Sequence, residues 1–516
     1  MMPHSFDQGA GMDIKVLAVD LGASGGKCFA GIFPEGGGFR MQEVHRFAHG
    51  GTSFFLADRT GAVTERTYWD DTWIYDNIIK GLHAYKRTFG GQLDAIGLDT
   101  WGADGAYFSA DGELLGKTHC YRDHRLDTMC EEVKACIDAR RLYGITGIHF
   151  QPFNMSNQLR WFATRRPELR KLTALFLPIP ALFNFYLGGC TAVDSSWASV
   201  TQLMDAKRRT WSRDVLRALK IPARIMPPIV APGTVIGALR PPLAATLGLN
   251  EAAIVAVASH DTASAFAAAP VADARHALII SSGTWSLVGR LVDQPITHDA
   301  AMTANISNEG GIDNTRFLKN CMGTWIVQEL LRGWEAADGR RMEWSEVDTI
   351  TPAAPAFSAF IDPDNARFYN PANMEDAIRA FLAETGQRQP ADRGAILRIV
   401  YESLALKYRL VNEQICAICG TPTQAVHIVG GGSGNALLNQ FTADAIARPV
   451  HAGPKEGTAV GNLMVQAMAL GVISSMAEAQ PLIRSAFPIK TFLPGDTAVW
   501  DATFARFQEI ATNHKS

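Results

Sequence analysis

The sequence predicts an α/β protein of two domains, and three observations carry that prediction. Short apolar runs of strand character alternate with segments whose apolar residues recur at helical spacing. A strand, a polar glycine-bearing turn and a second strand occur in that order once in each half. The chain of 516 residues, 47% hydrophobic and 19% charged, is longer than one core usually serves.

The first run, residues 14–20 (IKVLAVD), stops at LGASGG and resumes as KCFAGIF, which reads as strand, tight turn and strand. Helical spacing from Trp73 to Phe89 leads into a short strand from Leu93 to Leu98 and then the loop DTWGAD at 99–104. In the second half, Ala253 to Ala258 reads as a strand ending at Ser259-His260-Asp261. Strands from Ala277 to Ile280 and Trp285 to Gly289 flank Ser281-Ser282-Gly283-Thr284. A long helical pattern covers Ala395 to Ile418, followed by a strand at Ala425 to Val429, glycines at 430–432, and helices near 437–446 and 458–470. The proline-rich stretch from Pro222 to Pro242 places the main boundary near residue 256. The chain then divides into a flexible leader at 1–12, a first domain at 13–256, a second at 257–475 and an extension at 476–516 packed on the second.

Composition narrows the function. A formal charge of −3 provides no basic field for nucleic acid, so the expected partners are small molecules or a second copy of the chain, as monomer or homodimer. Eight cysteines scattered over the whole length make no disulfide framework and fit a reducing compartment, the cytoplasm. The most apolar stretch, 172–187, is broken by Pro178, Pro180 and Asn184, so a soluble protein is expected, and 1–12 lack the pattern of a signal segment. His119, His124 and His149 lack metal-ligand spacing and read as satisfied structural histidines, unlike His260.

Several segments can do chemistry. In the turn from Asp20 to Lys27, glycines let backbone amides converge on an anion, Lys27 adds positive charge, and Asp20 can hold magnesium through water. It is not a Walker A loop, because Cys28 follows the lysine and the chain continues as a strand; a plain hairpin turn fits the same residues. Asp261, at the end of an apolar strand, is either a base set between an alcohol and a phosphate or the N-cap of the next helix. Ser282-Gly283-Thr284 offers amides and a hydroxyl to a phosphate, and the glycines at 430–432 allow a nucleotide close to the backbone. Asp99 to Asp104 bring two carboxylates, Trp101 and Gly102 together as a polyol pocket would, or as a capped structural loop would.

Taken in order, AVDLGAS, LDTWGAD, YRDHR, VAVASHDTASA, SSGTWSL, NEGG, LKNCMG, HIVGGGSGN and EGTAVGN resemble the FGGY family of carbohydrate kinases from about residue 14 to 471. The resemblance implies two ribonuclease-H-like domains of the actin-like ATPase kind, facing across a cleft that holds ATP, Mg2+ and a sugar. It implies Asp261 as proton acceptor, with Gly102, His260, Thr262 and Asn320 on the sugar. Ala23, Ser24, Gly25, Gly26 and Lys27 match a phosphate loop, and Thr284, Gln328, Gly431 and Gly432 match positions around ATP. The implied acceptor is the 1-hydroxyl of L-rhamnulose; alternatives are another ketose or polyol such as L-fuculose, L-ribulose or xylulose, or an actin-like nucleotide-binding regulator. Three departures stand out. ASGGK replaces the usual ASSGR, so a point charge replaces a forked donor. Gly105 replaces an aromatic and is expected to open space beside the sugar, and YRDHR places His124 near that region.

Overall fold

The structure, a computed structural model, describes residues 13–513; the leader expected at 1–12 and the last three residues of the extension lie outside them. Among the described residues no helix is long and apolar enough to cross a membrane.

Two sheets organise the chain. The first has the strand order Thr234–Ala238, Ala253–Ala256, Ala95–Thr100, Ile14–Gly22, Gly25–Phe33, Arg40–Ala48. The second runs Ser307–Gly310, Thr315–Met322, Trp285–Val292, Ala277–Ser282, Ala425–Val429, Val450–Ala452, Lys490–Phe492. Each is built on the same five strands. A central strand, Ile14–Gly22 or Ala277–Ser282, pairs antiparallel with the next strand in sequence, and a third strand continues that side. On its other side it pairs parallel with Ala95–Thr100 or Ala425–Val429, and a fifth parallel strand follows. This repeated order is the ribonuclease-H-like topology, so the duplication hinted at by the two glycine turns is a duplication of whole sheets.

The central strand shows why the run IKVLAVD has no polar face. Leu17, Val19 and Leu21 point into one cluster with Ile74, Ile78 and Leu82, while Val16 and Ala18 point into another on the opposite face. A strand covered on both sides reads as a continuous apolar run. The second cover is not local: Val460, Leu463 and Met464 of the helix Gly457–Ala469, far down the chain, supply it. That helix also packs against Asp261–Ala267, so the two halves meet at a shared core beneath a cleft. At its polar positions, Gln466 Nε2 donates to the Leu17 carbonyl at 3.1 Å and Asn462 Nδ2 donates to Asp99 Oδ2 at 2.5 Å. The final helix, Thr497–Asn513, buries Trp500, Phe504 and Phe507 on the second sheet's core, whereas Met476–Ala486 packs Ala479 and Ile483 into the cluster shared with the first sheet.

Candidate active site

A cavity of about 940 Å³ lies between the two sheets, at the ends of their central strands. From the first half it is lined by Asp20, the turn from Gly22 to Lys27, and Gly102. The junction contributes His260, Asp261 and Thr262, and the second half contributes Thr284, Asn320, Gln328 and Gly431. Gly432 is not in this wall; it packs against Ser282, whose hydroxyl occupies the space a side chain there would need.

The first turn is a two-residue hairpin, Gly22 opposite Gly25, and its glycines answer to close approach. A Cβ on Gly25 would lie 2.7 Å from the Phe47 carbonyl oxygen, and one on Gly26 would strike the Phe47 ring. Lys27 leaves this turn toward the other half, where its Nζ meets Glu456 Oε2 at 2.7 Å. Both side chains are partly exposed, so this is a screened pair across the cleft.

Asp261 is the first residue of the helix Asp261–Ala267, with His260 at the N-cap, and its Oδ1 accepts from Thr262 N at 2.5 Å and Thr262 Oγ1 at 3.0 Å. His260, not Asp261, holds the N-cap position, and the one helix amide that the Asp261 side chain meets is that of the adjacent Thr262. His260 Nε2 lies 3.5 Å from Asp261 Oδ1, and a Cβ on Gly102 would fall 2.7 Å from that same nitrogen, which is why glycine stands there. Behind His260 is a buried ion pair: Glu309 and Arg316, opposite each other on adjacent strands, meet at 3.1 Å, and Arg316 Nη2 sits 3.1 Å from His260 Nδ1. Burial pushes the Glu309 carboxyl up, but Arg316 and His260 outweigh it and bring it down to about 2.

Burial raises Asp20, and the nearby Asp261 and Glu456 carboxylates add to the rise against the pull of Lys27. Asp99, deeper still, is raised by burial and by Asp20, and its Oδ1 has no hydrogen-bond partner.

Several expectations need correction. DTWGAD does not deliver both carboxylates to a polyol pocket. Asp104 faces inward and accepts from Trp69 Nε1 at 2.7 Å, Gln158 Nε2 at 2.9 Å and Trp101 Nε1 at 3.1 Å, so it anchors indoles. Gly105 opens no space beside the cavity, since a Cβ there would lie 2.5 Å from the Phe176 ring and 2.7 Å from the Leu177 carbonyl oxygen. His124 points to solvent and pairs with Asp127 at 3.2 Å. His149 is not a satisfied structural histidine: it lines the cavity, and neither ring nitrogen has a partner. Sequence reading also passed over Glu309, Arg316, Arg122, Trp285 and Glu456. The string NEGG contains Glu309, but nothing in its spacing announces a buried partner at Arg316 on the adjacent strand.

Solved structures of kinases share this architecture. The gluconate kinase of Lactobacillus acidophilus superposes with a TM-score of 0.78 at 18% identity, covering 98% of this chain and 99% of that one. The glycerol kinase of Plasmodium falciparum with ADP gives 0.76 at 16%, covering 98% and 99%. The fold is therefore the two-domain, actin-like ATPase fold of small-molecule kinases. The family models for the N-terminal and C-terminal domains of FGGY carbohydrate kinases match residues 62–267 and 278–470. The rhamnulokinase of Bacteroides thetaiotaomicron is 37% identical over 493 residues, 95% of this chain and 98% of that protein. The rhamnulokinase of Bacillus subtilis is 35% identical over 480 residues, 93% and 95% respectively. The chain belongs to the FGGY family of carbohydrate kinases, enzymes for which ATP is the phosphate donor.

Proposed function

We propose that this enzyme transfers the γ-phosphate of ATP to the 1-hydroxyl of L-rhamnulose, giving L-rhamnulose 1-phosphate and ADP, in a reducing cytoplasm where its cysteines stay free. The observation that carries the reading is Asp261 in the cleft, flanked by His260 and Gly102 and facing the glycine turns at 22–26 and 430–431. The likeness to rhamnulokinases over nearly the whole chain supports the sugar.

Phosphoryl transfer asks the protein for position, a proton acceptor and positive charge near the phosphates. With Oδ1 held by Thr262, Asp261 Oδ2 takes the proton of the attacking hydroxyl. Gly102, His260, Thr262 and Asn320 seat the sugar. Backbone amides from Ala23 to Gly26 and near Thr284, together with Lys27, receive the phosphates, and Gln328 and Gly431 border the nucleotide. The lobe at 13–256 then carries the sugar and phosphate turns, and the lobe at 257–475 the nucleotide and the base.

Magnesium fits this wall. Asp20 and Asp261 line it together with Lys27 and Arg46, and burial with neighbouring carboxylates raises Asp20, a cost that a bound cation would relieve. Among the described residues no cluster of three or more side-chain ligands exists, so the ion would be held by Asp20 through water and by the phosphates, as Mg2+ usually is. When bound, it supplies charge neutralisation on the transferred group.

The test is ADP release across L-rhamnulose, L-fuculose, L-ribulose, xylulose and gluconate, ranked by kcat/KM, with Asp261→Ala beside the wild type. L-rhamnulose should rank first and the variant should lose sugar phosphorylation by about 10³-fold or more while still binding ATP. Near-normal turnover in Asp261→Ala would place the base elsewhere.

A further inference from the structure

Among the described residues lining the cleft, His149 is a buried side chain with both polar atoms unpaired that phosphoryl transfer does not use. His149, 4% exposed, lies between the helices Ala139–Thr146 and Met155–Arg165 and forms part of the cavity wall. Its main chain is held firmly. The carbonyl accepts from Asn154 Nδ2 at 2.8 Å and Gln202 Nε2 at 3.4 Å, and the next amide, Phe150 N, donates to Asn305 Oδ1 at 3.3 Å. Only the ring is left over, with both nitrogens buried and without hydrogen-bond partners. An unpaired donor and an unpaired acceptor destabilise the unliganded fold, and a clamped loop keeps them from turning away.

The chemistry of the missing partner follows from the ring. Burial pushes the imidazole down to about 4, with Glu309 offsetting only part of it, so the neutral ring presents one N–H and one lone pair. Glu309, paired with Arg316, and His260 are the charged or titratable groups beside it, with Lys319 further contributing. A hydroxyl, which both gives and takes a hydrogen bond, suits such a ring. A phosphate or carboxylate only accepts, and would set negative charge against the lone pair. Elsewhere in the cavity wall Asn320 Oδ1 is likewise buried and partnerless, an acceptor that an O–H would satisfy.

We propose that His149 is a specificity-determining residue that reads a hydroxyl of a neutral sugar away from the carbon being phosphorylated. This rests on the sugar-kinase reading above. A site that hydrogen-bonds a hydroxyl discriminates steeply against the analogue that lacks it, because the protein groups are then left unpaired.

The experiment compares the wild type with His149→Phe, which keeps the ring's bulk and removes both nitrogens. Thermal unfolding without ligand, KM for ATP, and kcat/KM for L-rhamnulose and a series of its single-deoxy analogues are measured. His149→Phe should melt at or above the wild-type temperature, lose about 100-fold or more in kcat/KM for the sugar, and keep its KM for ATP within about threefold. It should also lose the wild type's penalty against one particular deoxy analogue. A merely structural histidine gives the reverse pattern, a lower melting temperature with the analogue ranking intact, and that result overturns the proposal. Sugar kcat/KM within about threefold of wild type overturns it too. Should the phenylalanine variant not fold, His149→Leu is put through the same measurements against the same outcomes. A wild type inactive on every ketose and polyol removes the proposed function itself and this inference with it, whereas an active wild type with an unaffected variant removes the inference alone.

Discussion

Gly461→Ala adds one methyl group at the contact between two helices beneath the cleft. Gly461 lies within the helix Gly457–Ala469, against the helix that opens with Asp261. A Cβ there would stand 2.6 Å from the carbonyl carbon of Ser264 and 3.0 Å from its Cα, closer still to the oxygen, where ordinary contact begins at 3.4 Å. Those atoms are backbone and cannot rotate aside as a side chain could. The helices must therefore part by roughly 1 Å, and a shift of that size at a reacting group costs about 10²-fold in rate. Overpacking costs about 1–3 kcal/mol, against about 1 kcal/mol gained because alanine forms helix better than glycine. The expected result is a kcat lowered about 100-fold, a KM for ATP changed little, and a Tm that falls by a few degrees. ADP-release kinetics and calorimetry read these out. A variant with kcat within threefold of wild type and an equal or higher Tm would refute the idea that this helix contact places Asp261.

Two further outcomes follow from other parts of the molecule. Lys27→Met should raise the KM for ATP by about 10- to 100-fold, the worth of one charge-assisted hydrogen bond, with the sugar KM nearly unchanged, and Lys27→Arg should restore most of it; initial rates at varied ATP decide, and an unaltered KM contradicts the assignment. His427 is buried beside His451, and burial pushes it down to about 3, so between pH 6.5 and 4 the unfolded chain takes a proton that the folded one refuses. Its contribution to stability is fully present above pH 6.5 and is lost as the pH falls, at up to about 1.4 kcal/mol per pH unit. Denaturant melts of His427→Phe should accordingly show a shallower decline over that range than wild type, and parallel curves would contradict the buried, neutral ring.

How legible the molecule was depended on the kind of signal each part carried. The central strands were readable because burial on both faces leaves an unbroken apolar run, as in Val16 to Val19. Their observed bounds, Ile14–Gly22 and Ala277–Ser282, extend the predicted ones by only a couple of residues. The long helix read at 395–418 is Arg393–Cys419. The third strand of each sheet was not readable. Arg40–Ala48 is an edge strand with mostly exposed or half-exposed residues, and Thr315–Met322 carries Arg316 and Lys319 in its interior. A buried arginine breaks an apolar pattern, and only the register that sets Glu309 opposite it explains its presence.

By itself, then, the order of residues determined the alternation of strands and helices, the two glycine turns, and the motifs that line the cleft, because these depend on neighbours a few positions apart. Tertiary structure alone decided which polar groups face the cavity. It turned Asp104 toward two indoles, filled the space beside Gly105 with Phe176, and left both ring nitrogens of His149 without a partner at the cavity wall. It also carried the helix Gly457–Ala469 across to the first sheet. The physical reason is the same in each case: the free energy of burying a carboxylate, a glycine gap or an imidazole is set by atoms that come from tens to hundreds of residues away.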